Sequence, residues 1–218
     1  DNGDFVFTTD EQSDAYLAAY DITNINNIQE VDRIQSNPGS GTIPHNTHVD
    51  GNFLITSYYR DGTTVHDITY PNNMIEVAYY DSYAGSGNGF DGNWGTYPFL
   101  PSGKIISSDI NSSSNQTGKL LIYERQFQQG CYLEGNITDA NTSNAISAAN
   151  IEILTTNINT TSTIMGDYVS GVANSGSYDI LFSKAGYISD TINASLNNGV
   201  LTTVNAQLVP LTPFSGNG

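Results

Sequence analysis

The chain has little of three things: cysteine, positive charge and long apolar runs. Cys131 is the one cysteine among 218 residues, so no disulfide can form within the chain. Six Lys and Arg residues accompany 22 Asp and Glu residues, which gives a formal net charge of −16 at pH 7. Nucleic acids and anionic lipids bind cationic surfaces, which six basic residues cannot supply, so we expect neither as a partner. No apolar run approaches the roughly 20 residues that span a bilayer, so we expect no membrane span.

The rest of the composition is typical of a folded, strand-rich protein. A hydrophobic fraction of 38%, with 14 Tyr and 8 Phe, can build a packed core. Strand-favouring Ile, Val, Thr, Tyr and Phe dominate, and strong helix formers are sparse. Because acidity and abundant Asn, Ser and Thr keep a protein soluble, we predict an extracellular or outer cell-surface location. No signal peptide is recognisable and the first residue is Asp1 rather than Met, so we expect a processed or truncated piece.

The composition changes near residue 130. Sixteen acidic and five basic residues precede Gly130, whereas six acidic residues and one basic residue follow it. All three His residues and the only Trp lie in the first part. The polar run 126–130 is typical of a connector between domains. We therefore predict a first domain at residues 1–129, a second at 130–210, and a linker or tail at 211–218.

The first domain contains a repeat. Tyr20-Asp21-Ile22-Thr23 returns 46 residues later as His66-Asp67-Ile68-Thr69, each time at the end of a strand-like run. A turn ending in glycine also precedes an apolar strand start three times: Asn2-Gly3 before Phe5, Asp50-Gly51 before Phe53, and Ser102-Gly103 before Ile105. These glycines are 48 and 52 residues apart. The sequence thus predicts about three similar units of several short strands.

A period in the high forties with short strands is typical of a β-propeller blade. A hairpin of variable length occupies the same place in each unit and is longest at Asn111–Gly118, as expected for a loop on one face of a repeat. About three blade-like units are recognisable, whereas a closed propeller has typically about 4–8. We expect N-terminal blades to be missing from this chain; completion of the ring by another chain is the alternative.

Three segments carry a resemblance to a known family: Leu17–Ile34, Pro44–Gly51 and Trp94–Asp109. Together they resemble the choice-of-anchor B family, secreted proteins with propeller-type LVIVD repeats that are common in the Bacteroidetes. The resemblance covers about residues 4–125 and implies the C-terminal part of a propeller from a secreted, Bacteroidetes-like protein. It carries no catalytic residues with it.

The second domain is predicted to be a small β-sandwich. Strands separated by turn signals are predicted at Tyr132–Ile137, Asn150–Thr155, Thr161–Met165, Gly176–Ser183, Tyr187–Ala194 and Leu201–Leu208. Four motifs resemble the carboxypeptidase regulatory-like, or transthyretin-like, sandwich: Gly135–Asp139, Ala145–Ile153, Gly176–Tyr178 and Gly186-Tyr187. This resemblance implies a spacer, adhesive or stabilising module without peptidase chemistry. The predicted fold class is therefore all-β, a partial propeller followed by a sandwich of this type.

Two histidines are candidates for ligand or metal binding. His45 and His48 stand just before a predicted strand, and with Asp50 they could bind a transition metal. Residues three apart on a strand point to opposite faces, so shared coordination would require a loop, and structural roles are the alternative. His66 takes the place of Tyr20 in the repeat, which indicates a packing position.

The loop from Asp81 to Trp94 is the most unusual segment. Its Asp and Asn oxygens among flexible glycines suit Ca²⁺, for which we single out Asp81, Asn88 and Asp91. The spacing is not that of an EF-hand, and an ordinary surface loop is the alternative. Trp94 is either a core wedge or a platform on which a sugar stacks.

Three hypotheses for function remain. The favoured one is a secreted or cell-surface binding, adhesion or scaffold protein without catalysis, whose ligand is an extracellular protein or glycan. The second is an extracellular hydrolase or metal-dependent enzyme with its site mainly in absent blades, to which His45, His48 or Asp91 contributes. The third is a structural subunit whose strand edges pair between chains. Cys131 is either a buried residue or one half of a bond outside this chain.

Overall fold

The computed structural model describes residues 3–110 and 117–211, and all regular structure in these ranges is β-strand. The all-β prediction is therefore confirmed. The chain divides into two compact units, Asp1–Gln129 and Gly130–Gly218. Within the described ranges, no helix is long and apolar enough to cross a membrane. The tip of the variable hairpin at 111–116 and the tail at 212–218 lie outside the described residues.

The first unit consists of three antiparallel sheets made of strands that follow one another in the chain. The strands are β1 (Phe5–Thr9), β2 (Leu17–Asp21), β3 (Gln29–Ile34), β4 (Thr47–Asp50), β5 (Phe53–Ser57), β6 (Thr63–Asp67), β7 (Ile75–Tyr80), β8 (Gly92–Tyr97), β9 (Ile105–Ile110) and β10 (Lys119–Tyr123). Sheet 1 contains β1 to β3, sheet 2 contains β4 to β7, and sheet 3 contains β8 to β10, each in chain order.

The repeated tetrapeptide forms the same local structure in sheets 1 and 2. Asp21 accepts hydrogen bonds through Oδ1 from the backbone N–H of Thr23 at 2.9 Å and from its hydroxyl at 2.6 Å. Asp67 accepts the matching bonds from Thr69 at 2.9 and 2.7 Å. A shift in strand register precedes each aspartate. Each copy therefore ends a bulged strand with an aspartate-closed turn, which is what Asp and Thr favour in these places.

Sheet 2 is covered on both faces. Leu54 packs with Leu17 of sheet 1, whereas the next residue, Ile55, packs with Ile105 of sheet 3. Successive side chains on a strand point to opposite faces, so β5 contributes to two separate apolar clusters. The three sheets consequently stack face to face in chain order.

The third copy of the repeat is out of register with the others. Phe53, two residues after Gly51, packs toward sheet 3, but Ile105, two residues after Gly103, packs toward sheet 2. The β4–β5 hairpin pairs Asp50 with Phe53, while a longer loop separates β8 from β9. A one-residue offset exchanges the two faces of a strand, so the predicted equivalence of the third copy is wrong at the level of side chains. The described residues form no closed propeller, and the blade interpretation stays a prediction.

The second unit is a two-sheet sandwich. Its strands are β11 (Cys131–Asp139), β12 (Asn150–Ile153), β13 (Asn159–Thr161), β14 (Asp167–Val172), β15 (Gly176–Ser183), β16 (Tyr187–Ile188), β17 (Asp190–Leu196), β18 (Leu201–Thr203) and β19 (Ala206–Pro210). One sheet runs β14-β11-β19-β16, with β18 also paired to β11, and the other runs β13-β12-β15-β17. Leu133, Ile151 and Phe182 are fully buried in the apolar core of this unit. Cys131 is a fully buried thiol that forms no disulfide within the described residues.

One predicted strand of the second unit is wrong, and two others are divided: Tyr187–Ala194 covers β16 and part of β17, and Leu201–Leu208 covers β18 and part of β19. The stretch Thr161–Met165 forms the end of β13 and then a turn, in which Gly166 donates its N–H to the Thr163 carbonyl at 3.0 Å. Gly166 has a φ of +81°, a conformation that glycine adopts without strain. The apolar pair Ile164 and Met165 consequently lies on the turn and is exposed.

Candidate ligand-binding site

Four ring side chains, from positions beside β4, β5 and β8 and within β8, come together in the first unit. His45 precedes β4, Tyr59 follows β5, Phe90 precedes β8, and Trp94 lies within β8. The His45 ring stacks on Trp94 with the ring centres 5.6 Å apart and the planes 22° apart, and it lies 5.3 Å from Tyr59. Phe90 meets Tyr59 edge-on at 5.3 Å. We refer to these four residues as the ring cluster.

A β-bulge directs Trp94 outward. Asn93 pairs with Asp109 and Gly95 pairs with Ser108, so Trp94 is the extra residue of β8 without a direct partner across the ladder. Bulges re-aim side chains in this way and are common beside functional sites. The approach to the bulge requires Gly92, whose φ is +90° and at which a Cβ would lie 2.5 Å from the Tyr59 carbonyl oxygen.

Hydrogen bonds hold the ring cluster in place. His45 donates Nδ1–H to the Trp94 carbonyl oxygen at 2.5 Å, which leaves Nε2 facing Glu11 at 3.6 Å. The Tyr59 hydroxyl donates to the same Glu11 carboxylate at 2.5 Å. Burial raises the pKa of Tyr59 well above its usual range, and the hydrogen bond to Glu11 adds to this effect, so Tyr59 remains a donor. The orientations of His45 and Tyr59 are thus set by groups of the protein itself.

The exposed part of the cluster can stack on a ring-shaped ligand. Trp94 is 52% exposed and Phe90 is 56% exposed, although both belong to an organised group of rings. Aromatic faces supply apolar contact area, and the adjacent Glu11 carboxylate can accept hydrogen bonds from ligand hydroxyls. Apolar rings with a few fixed polar groups are typical of small-molecule and sugar sites.

The structure places His48 apart from His45. His48 meets Phe99 edge-on at 5.7 Å, and Phe99 in turn meets Tyr97 at 5.5 Å. Asp50, the predicted third metal ligand, pairs with Arg125. Within the ranges 3–110 and 117–211, no group of three or more His, Cys, Asp or Glu residues could hold a metal ion. The roles predicted for His45 and His48 in ligand binding remain predictions, now attached to two different aromatic groups.

Arg60 organises the loop that was predicted to bind Ca²⁺. Its guanidinium donates to Asp91 Oδ2 at 2.7 Å and to the Ser86 carbonyl at 2.9 Å, and it lies over the Tyr83 ring. Asp81 accepts the backbone N–H of Tyr83 at 2.7 Å. Asn88 lies beside Gly41: a Cβ added to Gly41 would be 3.5 Å from the backbone nitrogen of Asn88. Arg60 therefore already supplies a positive charge to Asp91, and the Ca²⁺ role of these three residues remains a prediction.

Sequence reasoning missed Glu11, Tyr59 and Phe90. Glu11 and Tyr59 are 48 residues apart, within the 46- to 52-residue spacing of the repeat, and they lie in the corresponding hairpins of sheets 1 and 2. The repeat could have predicted that these two hairpins adjoin, because equivalent loops of stacked units lie on one face. Nothing in the local sequence, however, marks either side chain as a partner of His45.

Comparisons with known proteins do not assign the chain to a family. No family model matches the chain, and no curated protein matches its sequence. The minor pilin GBS52 of Streptococcus agalactiae is 12% identical with a TM-score of 0.34, over 56% of this chain and 66% of its own. The Bacillus anthracis TIE protein is 11% identical with a TM-score of 0.34, over 97% of this chain and 42% of its own. The group B streptococcus pilus 2b backbone protein is 12% identical with a TM-score of 0.33, over 98% of this chain and all of its own.

The family resemblances inferred from the sequence are wrong. No model of the choice-of-anchor B or carboxypeptidase regulatory-like family matches, and the described residues close no propeller. The physical reason is that glycine-rich turns before apolar strands recur in many all-β proteins. Motifs of this kind therefore indicate a turn but do not identify a protein family. The Bacteroidetes-like source rested on that resemblance and loses its support.

Proposed function

We propose that the protein is a secreted or cell-surface binding protein without catalysis, and that the ring cluster is its ligand site. The observation that carries this proposal is the half-exposed Trp94, directed outward by a bulge and stacked on His45, whose Nε2 faces the Glu11 carboxylate. Exposure of a large aromatic side chain to water is unfavourable. The exposure of Trp94 in a fixed orientation therefore favours a role in ligand recognition. The chemistry of the cluster favours a glycan over a protein ligand.

We further propose that sheets 1 to 3 are consecutive blade-like units of a radial array, of which the ring cluster occupies one loop face. The shared aspartate-closed turns of sheets 1 and 2 and the covering of sheet 2 on both faces support this arrangement. An array of this kind presents its variable hairpins together, which is where binding residues are usually found.

Glycan binding can be tested by removing the single tryptophan. A panel of immobilised glycans is screened with the wild-type protein and with Trp94→Ala, and hits are titrated with both proteins by isothermal titration calorimetry. We expect Trp94→Ala to weaken binding at least tenfold, because stacking on an aromatic face is lost. His48→Ala, in the separate Phe99 group, is the matched control and retains binding. A screen without any hit, or equal binding by Trp94→Ala, would refute the glycan site.

A second candidate function is that of a structural subunit. The face of sheet 3 turned away from sheet 2 exposes Tyr97, Leu120 and Ile122 to 47%, 69% and 63%. Leu120 and Ile122 also belong to an edge strand, and exposed apolar edges favour association between chains. Light scattering tests this candidate: concentration-dependent growth in mass that Ile122→Lys abolishes would support it, and a strict monomer would remove it.

A further inference from the structure

Sheet 3 buries a carboxylate without any hydrogen-bond donor. Asp109, on the face of β9 toward sheet 2, is 2% exposed, and neither of its carboxylate oxygens accepts a hydrogen bond. A buried carboxylate in this state loses its hydration without compensation, which costs several kcal/mol. Such a group in a folded protein indicates that something else neutralises it.

Asn93 presents a second unsatisfied oxygen on the same face. It is 0% exposed, and its Nδ2 donates to the Thr63 hydroxyl at 2.5 Å and lies 3.3 Å from that of Thr96. In this orientation Nδ2 is the end of the amide that faces the hydroxyls. The amide oxygen Oδ1 is left buried with no donor.

The strand register brings these oxygens together. Asn93 is directly opposite Asp109 across the β8–β9 ladder, and paired side chains on one face have Cβ atoms about 5 Å apart. On the other side Lys119 is opposite Asp109, but its ammonium donates to the Ser82 carbonyl at 3.1 Å. This contact draws the 81–82 segment toward Asp109. Ser82 Oγ is buried without a partner, and the charge of Asp81 acts on Asp109.

We propose that Asp109 and Asn93 form the centre of a site for a hard cation of the Ca²⁺ class, completed by Asp81 and Ser82. All the ligand atoms are oxygens, two from carboxylates and two from neutral groups, which Ca²⁺ prefers and Zn²⁺ does not. The two carboxylates and Lys119 leave one net negative charge for the cation to neutralise. The site shares only Asp81 with the loop site predicted from the sequence, and it does not depend on the ring cluster.

A proton is the competing occupant. Burial raises the pKa of Asp109 from 3.8 to about 6, with Asp81 adding to the effect and Lys119 opposing it. A protonated Asp109 could donate its O–H to the Asn93 oxygen and would satisfy both groups without a metal. The proton and the cation can be distinguished at pH 7.5. At this pH a carboxyl group with a pKa of about 6 has largely lost its proton, and its carboxylate binds a cation best.

The test measures thermal stability of the whole chain at pH 7.5 after removal of divalent cations, with Ca²⁺, Mg²⁺ or neither added. We expect Ca²⁺ at a hundredfold excess over its Kd to raise the Tm of the first-unit transition by about 5–10 °C. Asp109→Asn, which keeps the shape of the side chain, should abolish the shift, and Asp81→Asn should weaken Ca²⁺ binding at least tenfold. Asp10→Asn, an exposed acid that changes the net charge equally, is the matched control and should keep the full shift.

Binding of Tb³⁺ gives a second readout that does not depend on unfolding. Tyr123 lies close enough for the charge of Asp109 to act on its hydroxyl, so we expect tyrosine-sensitised Tb³⁺ emission that Ca²⁺ displaces and Asp109→Asn removes. Absence of any Ca²⁺ effect on Tm and on Tb³⁺ emission would overturn the cation site. Equal Ca²⁺ effects in wild type and Asp109→Asn would overturn it as well.

Discussion

The two units of the chain have different interiors. The second unit has one apolar core, which includes Leu133, Ile151 and Phe182, all 0% exposed. The first unit has two smaller apolar clusters, and the interface of sheets 2 and 3 also buries a network of hydroxyl, amide and carboxylate groups. Thr63 and Ser107 share a hydrogen bond of 2.7 Å at its centre.

The difference separates a unit stabilised by apolar burial from a unit that buries polar groups beside the proposed ligand site. Apolar burial stabilises a fold without specifying chemistry, whereas buried polar groups are costly unless each has a partner. The polar groups of the first unit lie directly beneath the bulge that directs Trp94. We infer that the first unit trades stability for positioned side chains, as strained and polar sites commonly do.

The largest expected effect is in the second unit. Phe182→Ala removes a fully buried ring that packs against Tyr168 and should destabilise this unit by about 3–5 kcal/mol. Cys131 is the only thiol and is buried, so its reaction with a thiol reagent in increasing urea reports opening of the second unit, while Trp94 fluorescence reports the first. Phe90→Ala, at a ring 56% exposed, is the control. Equal shifts of both transitions would show that the two interiors do not act separately.

Gly92→Ala should have the next largest effect and should act on the first unit. The added Cβ meets the Tyr59 carbonyl at 2.5 Å on a backbone with positive φ, so we expect a cost of about 1–3 kcal/mol and a displaced Trp94. Near-ultraviolet circular dichroism of Trp94 and urea unfolding measure the two consequences. Gly103→Ala is a matched control, since φ there is +74° but no atom lies within 4 Å of the new Cβ. An unchanged Trp94 signal in Gly92→Ala would contradict the role of the bulge.

Asp109→Asn should stabilise the first unit at neutral pH when divalent cations are absent. The folded pKa of Asp109, about 6, exceeds its ordinary value of 3.8, so the native state holds the proton more strongly. Its contribution to stability is full below about pH 4 and is lost as the pH rises through 6. We therefore expect the variant to gain up to about 3 kcal/mol over wild type at pH 7.5 and little at pH 4. Urea unfolding across this range is the measurement, and a less stable variant at pH 7.5 would show that Asp109 has a partner.

Trp94→Ala should change stability least. The side chain is half exposed, so we expect a change within about 1 kcal/mol in urea unfolding followed by far-ultraviolet circular dichroism. A loss of several kcal/mol would instead make Trp94 the core wedge that the sequence left open. A small loss of stability in Trp94→Ala and a large loss in Phe182→Ala would distinguish a side chain that acts in binding from one that acts in packing.

Much of the strand pattern was predictable. The run Gly176–Ser183 matches β15 at both ends, because turn-forming residues flank it. Thr161–Met165 failed because Gly166 turns the chain just beyond an apolar pair. The sequence singled out His45 for its spacing to His48 and Asp50, and Trp94 as a core wedge or stacking platform, but nothing in it indicated that the two contact each other.

The sequence by itself determined the strand-rich class, the acidic surface, the 46- to 52-residue spacing and the turns that end the repeated strands. Tertiary structure alone decided which face of each strand is covered. As a result of this covering, Asp109 and Asn93 are buried. Ile105 faces sheet 2 whereas Phe53 faces sheet 3, and the Tyr59 hydroxyl reaches Glu11. The reason is that alternation along a strand defines two faces but does not say which one another sheet will cover.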